Sequence, residues 1–391
     1  MRLMPRRVLS ILIATIALTA CQHEAPAAKK TAIAAPSEGE ARQYVQEFIA
    51  AVSKPNVARA SAMIDWDILL ERAVDGAGGS NRFREGFIRG AKESSHESSY
   101  IQQIARLVGD GGKIALLRVR GDEHERKALL RMLLPNGAVT YNEMLLSKDA
   151  TGIVRAADIY AYSSGEYFSS TMRRLYVTAM AAEPSTMERL AGKQNTSVES
   201  IRMFKEMAEK TAAGLNQEAV DLFKKMPADI RKEKIILVAY VSASANLGED
   251  QYQAAIEELR KNYPNDAGID LMLIDGYFMK KRYDEAMGCI DRLDQSLGGD
   301  PYLDTLRANM MLQKGDIHSA TSFAQRAAMK EPKLVEAQWS LVNAALARRD
   351  FDETARILLH IRDDLGVALA DLTSIPEYSE FVRSSAYGRL Q

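Results

Sequence analysis

The chain has 391 residues, 47% of them hydrophobic and 26% charged, the balance of a globular protein, so wholly disordered and collagen-like classes are excluded. Lys plus Arg number 51 against 52 Asp plus Glu, which argues against a nucleic-acid-binding face. Two cysteines and five histidines leave little material for a disulfide framework or a metal cluster, and the length fits two or three domains of about 150 residues each.

Residues 1–21 read MRLMPRRVLSILIATIALTAC. Arg2, Arg6 and Arg7 form a basic start, and Val8–Leu18 is an apolar run. As a helix that run spans about 16 Å, too short to cross a bilayer. This is the layout of an export signal over residues 1–20. Leu18-Thr19-Ala20-Cys21 resembles a bacterial lipobox. The resemblance implies cleavage before Cys21 and acylation of that cysteine, a lipid anchor to the membrane. The alternative is a plain secretory signal in which the cysteine is incidental. Gln22, rather than an aspartate, follows Cys21. By resemblance to sorting in Gram-negative lipoproteins, that implies the outer membrane, facing the periplasm, rather than the inner membrane. Residues 1–20 hold three arginines and no acid, so 48 bases and 52 acids would remain, a balance of −4. Cys289 would then have no intramolecular partner and reads as a small core residue of a helix. Residues 21–36, rich in Ala with Pro26 and Pro36, read as the lipidated cysteine and a flexible tether that reaches at most about 50 Å.

An α+β domain is expected over residues 37–184. Ser37-Glu38-Gly39-Glu40 is a capping box. It opens a helix with Ala41, Tyr44, Val45, Phe48, Ile49 and Val52 on one face. A short helix follows from Asn56 to Met63, and Phe83 and Phe87 mark another before Ser94. Asp65 and Asp67 read as a polar helix junction around Trp66. Strand-like segments occupy 100–107, 113–120, 126–134, 138–147 and 153–162, joined by GDGG, GDEH, PNG and KDATG connectors. Connectors this short imply an antiparallel meander. A last helix over 166–182 carries Phe168, Met172, Leu175, Tyr176 and Ala179. Helices first and a curved antiparallel sheet afterwards resembles the nuclear-transport-factor-two-like cone. That resemblance implies a pocket between sheet and helices, with Trp66, Tyr141, Asp158, Tyr160 and Tyr162 as its candidates. Asp158, Tyr160 and Tyr162 alternate and so share one strand face. The competing reading packs the two tyrosines under a helix and bonds Asp158 at the strand's solvent end.

Catalytic signatures fail on inspection. His96-Glu97 and His124-Glu125 lack the second histidine of a zinc-protease helix. Gly76, Gly78 and Gly79 form no phosphate cradle, and no G-x-S-x-G elbow is present. No catalytic residue, metal or cofactor is expected, and no enzyme.

Residues 195–391 carry a period. Tyr283, Ile317 and Phe351 are spaced by 34, followed three residues on by Ala286, Ala320 and Thr354. Gly315 holds the turn two residues before Ile317, where Lys281 and Arg349 replace glycine. Tyr252 with Ala255 and Gly214 with Ala219 fit at spacings of 31 and 36 between the alanines, and Pro264, Pro301 and Pro332 stand at the handovers. This resembles the tetratricopeptide repeat family, in about five units. The resemblance implies an α-solenoid in which a small residue lets two antiparallel helices approach closely and each unit needs its neighbours to bury its apolar face. Leu372 to Leu390, with Tyr378, Phe381, Val382 and Tyr387, is expected to cap the last unit.

The fold class expected is therefore multidomain, α+β followed by all-α. In the family the first helix of each unit lines a concave groove. By register Phe278, Tyr302, Asn309, Trp339 and Asn343 would face a protein or peptide partner there. The competing reading puts Phe278 and Tyr302 in the inter-repeat core. Thr305, one turn before Asn309, stands where carboxylate-clamping repeats place a lysine. The function expected is a non-enzymatic, lipid-anchored scaffold or adaptor of the cell envelope. The alternative is a small-ligand-binding or enzymatic cone that the repeats present.

Overall fold

The computed structural model describes residues 35–53, 57–95, 99–135, 137–181, 196–264 and 266–390. The lipobox, Cys21, all but the last two residues of the tether and the break expected at 184–195 lie outside the described residues. The chain is mostly helical with one small antiparallel sheet, and it divides into two compact units between Ile269 and Asp270.

The first unit opens with α1 (Glu38–Ser53), α2 (Val57–Ala62), α3 (Trp66–Val74), α4 (Asn81–Ser95) and α5 (Ser99–Gly109). The capping box forms as its chemistry dictates: Ser37 N donates to Glu40 Oε2 at 2.8 Å and Glu40 N to Ser37 Oγ at 3.3 Å. Lys148, 2.8 Å from Glu40, and Ser37 hold the Glu40 carboxyl down at about 2. Asp65 caps α3, accepting from Ile68 N at 3.0 Å, while Trp66 Nε1 donates to Ser61 O at 3.0 Å. The strand expected at 100–107 is the helix α5. Tyr100, Ile101, Ile104 and Leu107, all buried, recur at helical and not alternating intervals.

Strands β1 (Lys113–Gly121), β2 (Arg126–Leu133), β3 (Val139–Lys148), β4 (Val154–Ala161) and β5 (Glu166–Tyr167) form an antiparallel meander in sequence order. The last helix, α6 (Phe168–Ala181), starts two residues late because Glu166 and Tyr167 pair with Ala161 and Tyr160. Extra residues interrupt the ladder at Leu117 in β1 and Ala157 in β4. Such bulges bend a strand and increase its twist. Phe48, Ile101, Leu130, Met132, Met144, Leu146 and Ile159 fill the space between the inner sheet face and the helices.

This unit does not end with α6. It continues through α7 (Thr196–Ala212), α8 (Asn216–Lys225), α9 (Ala228–Arg231), α10 (Lys234–Ser244) and α11 (Glu249–Asn262). Lys234 Nζ ties the sheet's last turn to this helical part, donating to Gly165 O at 2.8 Å and to Asp266 Oδ2 at 2.6 Å. Gly268 lies so close that a Cβ on it would come 2.6 Å from Gly165 Cα and 2.8 Å from the Tyr160 hydroxyl.

The unit boundary falls inside α12 (Ala267–Met279). Beyond it come α13 (Tyr283–Leu297), α14 (Pro301–Lys314), α15 (Ile317–Lys330), α16 (Val335–Ala347) and α17 (Phe351–Leu359). The even-numbered helices start at 267, 301 and 335 and the odd-numbered ones at 283, 317 and 351, so helix pairs recur at one constant step. Helix α14 contacts α13, α15 and α16, and α16 contacts α15 and α17. The small positions Ala286, Ala320 and Thr354 are wholly buried, and Thr354 Oγ1 donates to Asp350 O at 2.8 Å. Cys289 is buried in α13. A π-helical turn, His360–Asp364, extends α17. The tail is a run of short turns rather than one helix: 3-10 turns at Leu372–Ser374, Pro376–Tyr378 and Ser385–Leu390 around α18 (Ser379–Val382). Tyr378 and Phe381 are nonetheless buried in a cluster with Ile357, Leu358 and Ile361.

Candidate functional site

The candidates of the α+β part divide between two faces of the sheet. Tyr141, Tyr160 and Tyr162 come together: the Tyr141 and Tyr162 rings lie 6.0 Å apart, Tyr160 and Tyr162 5.1 Å, and Tyr160 and Tyr167 5.3 Å. Neighbours along a strand face opposite ways. This cluster therefore lies behind the face on which Asn142, Met144 and Ile159 meet the helices. Trp66 is on the inner side, edge-on to Phe168 at 6.0 Å and packed against the apolar core.

Asp158 is wholly buried rather than at a solvent end. Its Oδ1 accepts from Ile159 N at 2.9 Å and Ser169 N at 3.1 Å, and its Oδ2 from Ser169 Oγ at 2.5 Å and Arg72 Nε at 3.1 Å. Burial pushes its carboxyl up, while Ser169 and Arg72 pull it back. With four donors on two oxygens, no lone pair is left to take a substrate proton. The carboxylate joins β4 to α3 and α6.

The candidates on the repeating helices are set by three turns of one design. Lys281, Gly315 and Arg349 have φ of 57°, 84° and 58° and follow the first helix of each pair. In each turn two backbone bonds close the helix end, 2.9 Å from Arg282 N to Tyr277 O, from Asp316 N to Met311 O and from Asp350 N to Ala345 O, with the partner bonds from residues 281, 315 and 349 at 2.9–3.1 Å. This is the Schellman closure, which glycine favours because it has no Cβ to strain at positive φ. Gly214, with φ 78° and a Leu215 N to Lys210 O bond of 2.8 Å, ends α7 in the same way.

The closures hold the first helices in common register. Asn309 and Asn343 are each the ninth residue of their helix, and both are half-buried. Trp339, the fifth residue of α16, and Phe278, the twelfth of α12, are half-buried too, and the Phe278 ring meets Tyr283 edge-on at 6.0 Å. Tyr302 does not join them. It is 3% exposed and belongs to the core, because the second residue of α14 faces inward.

Two rows of residues escaped the reading of the sequence. The fourth residues of the three first helices are Asp270, Asp304 and Gln338, all buried. Arg292 Nη2 reaches Asp270 at 2.6 Å and Arg326 Nε reaches Asp304 at 2.6 Å. Arg307 adds bonds to Asp304 at 2.9 Å, Asp291 at 2.7 Å and Asp294 at 3.0 Å. The signal was present as acids and arginines recurring at the same step as the alanines. The second row completes the ninth position with Asp275, one repeat before Asn309. Among the described residues no group of three or more His, Cys, Asp or Glu could hold a metal ion. No helix there is long and apolar enough to cross a membrane.

Compared with known proteins, the chain matches no family model and no curated protein.

Proposed function

We propose that the protein is a non-enzymatic scaffold or adaptor of the cell envelope, anchored through an acylated Cys21 to the outer membrane and facing the periplasm. Its partner is a protein or peptide held along the first helices of a tetratricopeptide-type solenoid. The observation that carries this reading is the row of half-buried side chains, among them Phe278, Trp339, Asn309 and Asn343, on helices that recur at a constant step with the same closing turn. Amides beside aromatic anchors suit a bound chain, whose apolar side chains fill pockets while its backbone is hydrogen-bonded. Residues 37–184 act as a second docking surface or as the spacer between anchor and groove. The saturated carboxylate of Asp158 and the apolar filling of the inner sheet face weigh against the alternative, a ligand-binding cone.

The test is purification of the lipidated full chain in mild detergent from its own host, with Trp339→Glu plus Asn343→Ala beside the unaltered protein. A partner recovered with the unaltered chain and lost with the double variant supports the groove. A partner retained by both moves the binding surface elsewhere.

A further inference from the structure

We propose that Asp275 is a cation-selecting position, and that the first-helix stripe takes an extended, polyproline-II-like peptide segment carrying one lysine or arginine. This rests on the reading of that stripe as a partner groove.

Asp275, Asn309 and Asn343 occupy equivalent places on α12, α14 and α16. The residues before them in the chain, Ile274, Ala308 and Val342, are buried in the helix stack, while the three themselves are half-buried. The row therefore runs along the border between core and surface. Two of its members are amides, able to donate and accept; the third is an acid, which when ionised only accepts.

The surroundings of Asp275 sharpen the difference. Residues three and four away on a helix are its neighbours. For Asp275 these are Leu271, Met272, Phe278 and Met279, all apolar. No hydrogen-bond donor or cation pairs with Asp275 among the described residues, and burial alone raises its carboxyl to about 6. The contrast within the row above is plain, since Asp270 and Asp304 each have an arginine. Lys280 and Lys281 lie on the same helix end, but five and six residues along, beyond the neighbouring turn. An acid kept without a cation in an apolar cradle fits a long basic side chain. Its methylenes would lie on Leu271 and Met279, and its head group would meet the carboxylate one turn from Phe278.

The spacing identifies the conformation of the occupant. Packed helices lie about 8–10 Å apart, and α14 contacts α16 directly. A polyproline-II chain repeats its orientation every three residues, or about 9.3 Å. Such a chain would present the same side of its backbone to Asn309 and Asn343, and, with α12 at the same step, to Asp275 as well. A β-extended chain reverses its side over three residues, so it would meet alternate members of the row with its opposite edge.

The test uses the full chain in detergent and proline-rich nonapeptides in which one position is scanned with Lys, Arg, norleucine and Glu. Binding is read by fluorescence polarisation. The expected result is a preference of about tenfold for the Lys or Arg peptide over the norleucine peptide, weakening as salt rises. Asp275→Asn, with unchanged circular dichroism, should abolish the preference and leave the norleucine peptide unaffected. Peptides that bind the unaltered chain and are lost with Trp339→Glu, yet show no preference for a base, overturn the role of Asp275 alone. The same holds if the preference survives in Asp275→Asn. If the unaltered chain binds none of the peptides, or if Trp339→Glu binds them equally well, the groove itself is refuted and the inference with it.

Discussion

Arg326 donates through Nε to the buried carboxylate of Asp304 at 2.6 Å, and Arg292 meets Asp270 at 2.6 Å in the same relationship one repeat earlier. The repeat therefore propagates a charge pair as well as an apolar pattern. Each acid sits on a first helix and each arginine on the following second helix, so the pair fixes how the two helices lie within a unit. Asp304 is 2% exposed. Burial works against its charge, but the guanidinium groups of Arg326 and Arg307 outweigh burial and hold its carboxyl below the usual range.

Asp304→Ala should therefore destabilise the helical repeats by about 1–3 kcal/mol, because Arg307 loses one of its three acids and Arg326 loses its partner. A lowered native pKa adds stability above the unfolded-state value, lost as pH falls through the native value. Asp304→Asn should accordingly flatten the stability profile below about pH 4, the range in which an unperturbed aspartate titrates. Urea unfolding at pH 7 and pH 3, followed by circular dichroism, checks both. An unaltered midpoint at pH 7 in the alanine variant would refute the pairing.

Lys281 stands where Gly315 stands one repeat on, with φ 57°. A left-handed residue with a Cβ is strained by about 1–2 kcal/mol, and glycine removes that strain while making the unfolded chain more flexible. Lys281→Gly should be net stabilising by on the order of 0.5 kcal/mol. Lys281→Ala, which keeps the Cβ, should not. A higher urea midpoint at constant m-value for the glycine variant alone is the expected outcome.

The four bonds to Asp158 make it a cross-link of β4, α3 and α6. Asp158→Ala should cost about 3–5 kcal/mol, since the Arg72 guanidinium and two Ser169 donors lose their acceptor together. Thermal unfolding monitored by tyrosine and tryptophan fluorescence reads this directly. A shift of less than a degree or two would show that the carboxylate is dispensable to the fold.

These three positions also show how far the sequence was legible. The repeat step was visible in Tyr283, Ile317 and Phe351 because large residues at helix starts stand out against their neighbours. The closing turns at Lys281 and Arg349 were half-visible, since the register placed a turn there although neither residue favours positive φ. The buried acid hid better: Asp304 and its partner Arg326 look like solvated residues until their copies in the neighbouring repeat are aligned. Tyr100–Leu107 misled because a short segment with two β-branched isoleucines suits a strand, and only the interval between its buried residues makes it a helix. Resemblance to the tetratricopeptide repeat puts Tyr302 in the groove and the competing reading puts it in the core; its ring, beside Pro301 at a helix start, packs inward. The tail kept its buried aromatics while losing its helical regularity, because packing of Tyr378 and Phe381 fixes their position and not the path between them.

Anchoring is testable independently of the groove. Cys21→Ser should move the protein from the membrane to the soluble fraction and abolish incorporation of a radiolabelled fatty acid. A single acyl chain holds a protein only marginally, so stable anchoring needs more than one. Retention of label in the serine variant would place the acylation elsewhere.

Asp275 offers the last and sharpest check, because its unpaired charge should be a cost to the free protein. Burial raises its carboxyl from the ordinary aspartate value to about 6. The folded state therefore holds a proton that the unfolded chain releases near pH 3.8. Stability contributed by this group falls as pH rises between those two values and is lowest above pH 6. Replacing the acid with an amide of the same shape removes the effect. Asp275→Asn should raise the unfolding free energy by on the order of 1–3 kcal/mol at pH 8. The gain should shrink steadily toward pH 4, where both proteins carry a neutral side chain. Urea midpoints across pH 4–8 measure it, and a gain independent of pH would mean that the carboxylate is already paired. A gain that appears as expected, alongside loss of selection for basic peptides, would make Asp275 a residue retained for binding at the expense of the fold.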